Sequence, residues 1–253
     1  MEKISILGIA GSPRKGNTEI LVKEALKAAE EVGNVVTEFI SLRKKPVKPC
    51  LADYACVKKG DLDKPCVTIQ DDYGNEILSK MARADGLIIG CPVYFGGVTA
   101  QLKALMDRSM ALEMKAFALR NKVAGVLTVA HHRNGGQENT IFDMFRWLML
   151  HDVIVVNPGA ARPEKSVGCF WGGCVTQGFP FPVASSTKEG HEACLEDEIG
   201  LNSVRATAKR VAEVAKLLKA GMSVVPESEL AMPVHPTKGP FIWADLIRKQ
   251  DEK

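Results

Sequence analysis

The sequence predicts a doubly wound α/β protein built on a five-stranded parallel sheet in the order 2-1-3-4-5. Two observations carry this. Short apolar, β-branched runs alternate with longer amphipathic segments along most of the chain, the signature of right-handed βαβ units. The first, third and fourth of those runs also end in glycine-containing loops that open helices, and in such sheets ligands sit at the carboxyl ends of the strands. With 253 residues, 46% hydrophobic and 25% charged, the chain can bury a full core as one soluble domain.

Taken in order, Ile4–Ala10 reads as the first strand, Thr18–Val32 as an amphipathic helix and Val35–Leu42 as the second strand. Helix Tyr73–Ala84 precedes strand Gly86–Cys91, helix Thr99–Met114 precedes strand Val123–Ala130, and helix Glu138–His151 precedes strand Val153–Val156. The last helix, Gly200–Ala220, carries Val204, Val211, Val214, Ala215 and Leu218 on one stripe. Three stretches exceed the minimal fold: Arg43–Asp72 with Cys50, Cys56 and Cys66, the Gly-, Pro- and aromatic-rich Ala160–Glu198, and the Pro-rich Met222–Lys253. Residues 1–221 are therefore expected to form one domain with inserts at 43–72 and 160–198. Residues 222–253 form an extension whose Phe241, Ile242, Trp243, Leu246 and Ile247 need a surface to pack on, either the chain's own body or a neighbouring subunit.

A net charge of +3 is too weak to point to nucleic acid. No apolar run reaches the length of a membrane span, and the N-terminus leads straight into a strand with no signal-peptide pattern. These readings place the chain in the cytoplasm, where the seven cysteines are expected as thiols or metal ligands. The basic run Arg43–Lys45 reads as a solvated edge, and His151, at a helix end, as a site where the dipole favours imidazolium. His191 and His235 fall in the elaborations, where a structural or exposed role is expected.

The most informative stretch is Gly11-Ser-Pro-Arg-Lys-Gly-Asn-Thr18. A helix start presents N–H groups that have no partner within the helix, and the peptide dipoles add positive potential there. Ser12, Asn17 and Thr18 add side-chain donors, Arg14 and Lys15 add charge, and Gly16 completes the loop. Gly11 and Gly16 have the spacing of a nucleotide-triphosphate loop, but Asn17 stands where that motif needs Lys. The G-x-G-x-x-G dinucleotide fingerprint is not matched either. A monophosphate fits better; the competing reading is an ordinary loop with Asn17 or Thr18 as N-cap.

The third strand ends in Pro92-Val93-Tyr94-Phe95-Gly96, whose glycines and proline let the backbone approach a planar ligand and whose rings offer contact. The fourth ends in His131-His-Arg-Asn134-Gly135-Gly136-Gln137, whose backbone donors suit the polar edge of a ring. These stretches, with GIAGSPRKGNT, the insert ending in Cys66-Val-Thr-Ile-Gln-Asp-Asp72, GCPVYFGGVTAQLKALMDR and RNGGQE, resemble the flavodoxin-like NAD(P)H-dependent FMN reductases, and among them the iron-sulfur flavoprotein branch. The resemblance covers roughly the first 160 residues.

It implies that Ser12, Arg14, Asn17 and Thr18 hold the FMN phosphate, with Lys15 and Gly16 beside them. Pro92–Gly96 would lie along the isoalloxazine, and Asn134–Gln137, with His131 near, would approach its far edge. It further implies hydride transfer from a nicotinamide donor to FMN and onward transfer to a quinone, free flavin, nitro compound, oxygen or redox protein. No side chain need act as acid or base, so no catalytic residue is assigned. A homodimer or homotetramer is expected, with the flavin near a subunit boundary.

The iron-sulfur branch shows C-x2-C-x2-C followed closely by a fourth Cys. This chain reads Cys50-Leu-Ala-Asp53-Tyr-Ala-Cys56, then Cys66 after a longer gap. A four-iron cubane normally takes four thiolates, and Asp53 is a harder ligand. Ligand chemistry therefore ranks free thiols first, an iron-sulfur cluster at Cys50, Cys56 and Cys66 second, and zinc third. The alternative to a reductase is an iron-sulfur flavoprotein that carries electrons between redox partners through a cluster at Cys50, Cys56 and Cys66, and a third reading is a flavodoxin-like carrier with no turnover. Cys91 reads as a small buried residue, and no ligand spacing links Cys169, Cys174 and Cys194.

Overall fold

A computed structural model describes residues 2–59, 61–113, 117–176 and 192–232. The predicted alternation is present: β1 (Ile4–Ala10), α1 (Asn17–Glu31), β2 (Val35–Ser41), α2 (Ala55–Lys59), α3 (Gly74–Arg83), β3 (Gly86–Pro92), α4 (Ala100–Arg108), α5 (Met110–Glu113), β4 (Val123–Ala130), α6 (Gln137–Leu150), β5 (Ile154–Val155), β6 (Gly173–Thr176) and α7 (Glu198–Val224). All pairings between named strands are parallel, in the order β2-β1-β3-β4-β5, with β6 also paired to β4.

β3 and β4 are buried along their whole length, which is why they read as continuous apolar runs rather than alternating ones. One face packs on α1 and α7 through residues such as Leu21, Val22, Val204 and Val211. The other packs on α3, α4 and α6 through Ile77, Leu102, Ile141 and Met144.

The fifth sheet position departs from expectation. It is filled by two short pieces, β5 beside Val123–Ala124 and β6 beside Leu127–Ala130, both on β4. Segment 160–198 is thus not a plain connector: it interrupts the strand and returns to the sheet. Gly173 makes the return possible, because a Cβ there would stand 2.4 Å from Leu127 and 3.0 Å from the Val204 Cα. The predicted helix Thr99–Met114 is also broken, at Ser109, into α4 and α5. The last helix runs to Val224, past the expected boundary at 221. The apolar end of the extension, with His191 and His235, lies outside the described residues. No helix among the described residues is long and apolar enough to cross a membrane.

Ser109 explains the behaviour of His151. Its Oγ accepts from Trp147 Nε1 at 2.8 Å and lies 2.8 Å from His151 Nε2, while it donates to the Met106 carbonyl at 2.6 Å. His151 is 3% exposed, and its Nδ1 has no hydrogen-bond partner. Burial, against a smaller pull from Asp152, lowers its pKa to about 4. The imidazolium expected at this helix end is therefore absent, because desolvation outweighs the dipole.

The unfolded chain takes up this proton near pH ~6.5, whereas the folded protein resists it until about 4. Stability from this group is complete above the unfolded value and is lost as pH falls through the folded one, an effect of about 3 kcal/mol. His151→Gln is expected to flatten the urea-midpoint profile between those two pH values. An unchanged slope in the variant would show that other groups set the acid limit.

Candidate functional site

The crevice is built at the carboxyl ends of β1, β3 and β4. β1 passes into Gly11, whose N–H donates to the Gly90 carbonyl at 2.7 Å, while Thr99 Oγ1 donates to the Gly11 carbonyl at 2.6 Å. The first two loops are thereby tied together at their roots. α1 opens after Gly16, and no side chain caps it; the N-cap role considered for Asn17 or Thr18 falls to this glycine. Ser12, Asn17 and Thr18 are buried in the loop and first turn, while Arg14 and Lys15 are exposed at its rim. Ser12 Oγ accepts the Arg14 N–H at 3.1 Å, and Asn17 Oδ1 accepts the Cys194 N–H at 3.2 Å.

An uncapped first turn with buried hydroxyl and amide groups and two cations at its mouth has the chemistry of an anion site. One acidic residue lies in that turn, Glu19. Burial alone would raise its pKa, but the Ser41 hydroxyl at 2.6 Å and Arg43 at 3.1 Å hold it below the ordinary range. Its charge is spent inward, away from the loop. Arg43 is accordingly an ion-pair partner rather than a solvated edge.

The loop after β3 makes a tight reverse turn: Tyr94 and Gly97 exchange backbone hydrogen bonds of 3.0 and 3.1 Å. Phe95 and Gly96 at its tip have φ of 47° and 81°. A left-handed phenylalanine costs about 1–2 kcal/mol, and this one is also fully exposed. Left-handed strain of this kind recurs at ligand clamps and switch regions. Pro92 is buried beneath the turn, with Val93 and Tyr94 half-buried.

The loop after β4 presses against this turn. Gly136 has φ 102°, and a Cβ there would stand 3.1 Å from Gly96 Cα and 3.2 Å from Val93. Asn139 Nδ2 donates to the Gly96 carbonyl at 2.7 Å. Gln137, 3% exposed, spends its amide inside its own loop, accepting from Gly135 N–H and donating to the His132 carbonyl. It shapes the loop. Asn134 is exposed and Gly135 half-buried.

The three loops meet. Arg14 lies 6.0 Å from the Tyr94 ring centroid. His131 has its pKa lowered by burial, then by His132 and Arg14, which favours a neutral imidazole beside the guanidinium. Sequence reasoning missed Thr99, the hydroxyl joining the loops, although its place just before a helix is a legible cap signal.

The insert brings Cys50, Cys56 and Cys66 to one small chamber of about 10 Å³, with Asp53, Thr68 and Arg108 also in its wall. Burial raises the Cys56 thiol, and neighbouring Cys66, Cys50 and Asp53 raise it further. Asp53 is held ionised by the Thr68 hydroxyl and the Ala55 N–H. Residues Ala52 and Tyr54 flanking it both have φ 54°. Among the described residues, no three Cys, His, Asp or Glu side chains group as they would around a single metal ion. Cys91 is fully buried beside Thr99, its thiol pushed up to about 11 by desolvation.

Sheet order and crevice define a flavodoxin-like α/β protein with its glycine-rich loops at the topological switch point. Residues 4–165 match the NADPH-dependent FMN reductase family. The chain belongs to that family, close to its iron-sulfur flavoprotein branch, and is an FMN-dependent oxidoreductase. It is 44% identical over 217 residues to an iron-sulfur flavoprotein of Methanocaldococcus jannaschii, covering 85% of this chain and 100% of that one. It is 38% identical over 217 residues to an iron-sulfur flavoprotein of Methanosarcina thermophila, covering 85% and 97%. The fold is shared with a WrbA-like flavodoxin of Agrobacterium tumefaciens, with a TM-score of 0.52 at 18% identity over 86% of this chain and 99% of that one.

Proposed function

We propose that the protein binds FMN in the three-loop crevice and uses it to pass electrons from NAD(P)H to a quinone, flavin or comparable acceptor. The observation that carries this reading is the uncapped start of α1, framed by Ser12, Arg14, Lys15, Gly16, Asn17 and Thr18. When bound, FMN supplies the hydride and electron chemistry. Everything else falls to binding and orientation. The first-turn N–H groups and the hydroxyls of Ser12 and Thr18 would receive the phosphate, with Arg14 and Lys15 neutralising it.

Pro92–Gly96 would set the plane of the ring. Backbone donors of His131, Asn134, Gly136 and Gln137 would face its polar edge and favour the charge of the reduced form; the Gly135 N–H is already spent on Gln137 Oε1. The depressed His131 keeps that edge from carrying a permanent cation. No side chain is assigned as acid or base. We place the reaction in the cytoplasm and in a homodimer or homotetramer, which the exposed Phe142, Met149 and Leu150 of α6 support.

Steady-state oxidation of NADPH by the FMN-loaded protein, with a soluble quinone as acceptor, tests the reading. Turnover that rises with added FMN and saturates in both substrates is expected. Oxidation no faster than with free FMN would sink it. A second reading, an iron-sulfur relay at Cys50, Cys56 and Cys66, is favoured by the meeting of three thiols on one chamber beside two left-handed residues. Iron and acid-labile sulfide in anaerobically purified protein, lost in Cys56→Ala, would establish it; none in either would remove it.

A further inference from the structure

Outside the crevice and the chamber, two more thiols meet. Cys169 and Cys174 pack in one apolar cluster, and each thiol is the largest single influence on the other's ionisation. They close a loop, Cys169-Phe-Trp-Gly-Gly-Cys174, whose ends lie side by side: a Cβ at Gly168 would stand 3.6 Å from the Cys174 carbonyl oxygen. Gly172 and Gly173 let the chain fold back this tightly. Cys174 is fixed in β6, in register with Thr128 of β4, and both sulfurs pack on the core under α6.

We propose that Cys169 and Cys174 form a peroxide-responsive dithiol that closes to an intramolecular disulfide.

The two thiols are not equivalent. Cys169 Sγ accepts the Trp171 N–H at 3.4 Å and faces the Gly172 N–H as well. The Cys174 S–H, and these backbone donors against the cost of burial, favour its thiolate; Glu138 opposes it. Cys174 is held as the thiol by the neighbouring Cys169 sulfur, by burial, and by the charges of Glu138 and Asp197. A nucleophilic sulfur thus sits against a protonated resolving one.

Cys169 is 7% exposed, an opening that suits a small peroxide better than a bulky disulfide. The Cys169 thiolate attacks one oxygen of hydrogen peroxide, the O–O bond breaks, and the leaving hydroxide takes a proton to become water. The Cys174 sulfur then attacks the Cys169 sulfenic acid, and a second water departs with the Cys174 proton. Two thiols are oxidised by two electrons and one peroxide is reduced to two waters. Closure ties β6 to the loop that displays Phe170 and Trp171, which are 59% and 44% exposed.

The test uses the FMN-loaded protein treated with one equivalent of hydrogen peroxide, then alkylated and digested with trypsin. Cleavage after Lys165 and Lys188 isolates Ser166–Lys188, which contains these two cysteines and no other. The expected peptide is unalkylated, lighter than the dithiol form by two hydrogens, and restored by dithiothreitol. In Cys174→Ser the resolving sulfur is gone, and dimedone should trap a sulfenic acid at Cys169. If that variant does not fold, Cys174→Ala serves in its place. Two alkylated thiols after peroxide treatment, or a sulfinic acid at Cys169 of the wild type without the linkage, would overturn the proposal.

Discussion

Replacing Arg108 with leucine is expected to destabilise the protein by about 3–5 kcal/mol, the range for breaking a buried ion pair from one side. Arg108 ends α4 with its side chain 1% exposed, and its NH1 lies 2.9 Å from Asp72 Oδ2, itself 3% exposed. The guanidinium also donates to the Lys48 and Ile69 carbonyls, both at 3.3 Å. Asp72 in turn accepts from the Lys48 N–H at 2.7 Å and the Gly74 N–H at 2.8 Å. One residue therefore pins both ends of the cysteine-bearing insert to the body. Removing it leaves a buried carboxylate with two backbone donors and no counter-charge.

The urea midpoint should fall steeply in Arg108→Leu and recover in part in Arg108→Leu/Asp72→Leu, where no charge is stranded. A single variant as stable as the wild type would mean that water reaches the pair.

The second large effect concerns the phosphate loop. Asn17→Asp is expected to weaken FMN binding about a thousandfold while leaving the apoprotein at least as stable. Asn17 Oδ1 already accepts the Cys194 N–H, and a carboxylate oxygen can do the same. A negative charge in the first turn of α1 also suits the helix dipole. Against a bound phosphate the same charge repels: a unit pair at ~4 Å and an effective dielectric of ~20 costs about 4 kcal/mol. Fluorescence quenching during FMN titration reads the affinity, and thermal unfolding of the apoprotein reads the fold. Unaltered FMN affinity would place the phosphate elsewhere.

The sheet and its order were legible because the central strands are buried on both faces and the helices between them are amphipathic, so periodicity alone separates them. The three loops were legible from glycines at strand ends. Their interlocking was not. That Gly136 touches Gly96, that Thr99 joins the first two loops and that Gln137 is spent within its own loop are facts of approach in space. The strain at Phe95 is likewise a backbone property that residue types do not announce.

The first piece of the fifth strand was legible within Val153–Val156, but the second, β6, escaped because it has four residues and opens on glycine. Such runs show no period. The Arg108–Asp72 pair was invisible in the sequence, since nothing local distinguishes a buried pair 36 residues apart. His151 was misjudged for the same reason: its helix end was visible and its burial was not.

We propose that this crevice holds FMN and that NAD(P)H reduces it. The most direct measurement is the absorption spectrum of protein purified without oxygen, before and after NADPH is added. Two flavin bands that bleach within the time of mixing are the predicted result. Flavin bands that stay unmoved would make the protein a carrier reduced by another partner, and a spectrum with no flavin bands after loading with FMN would contradict the account at its root.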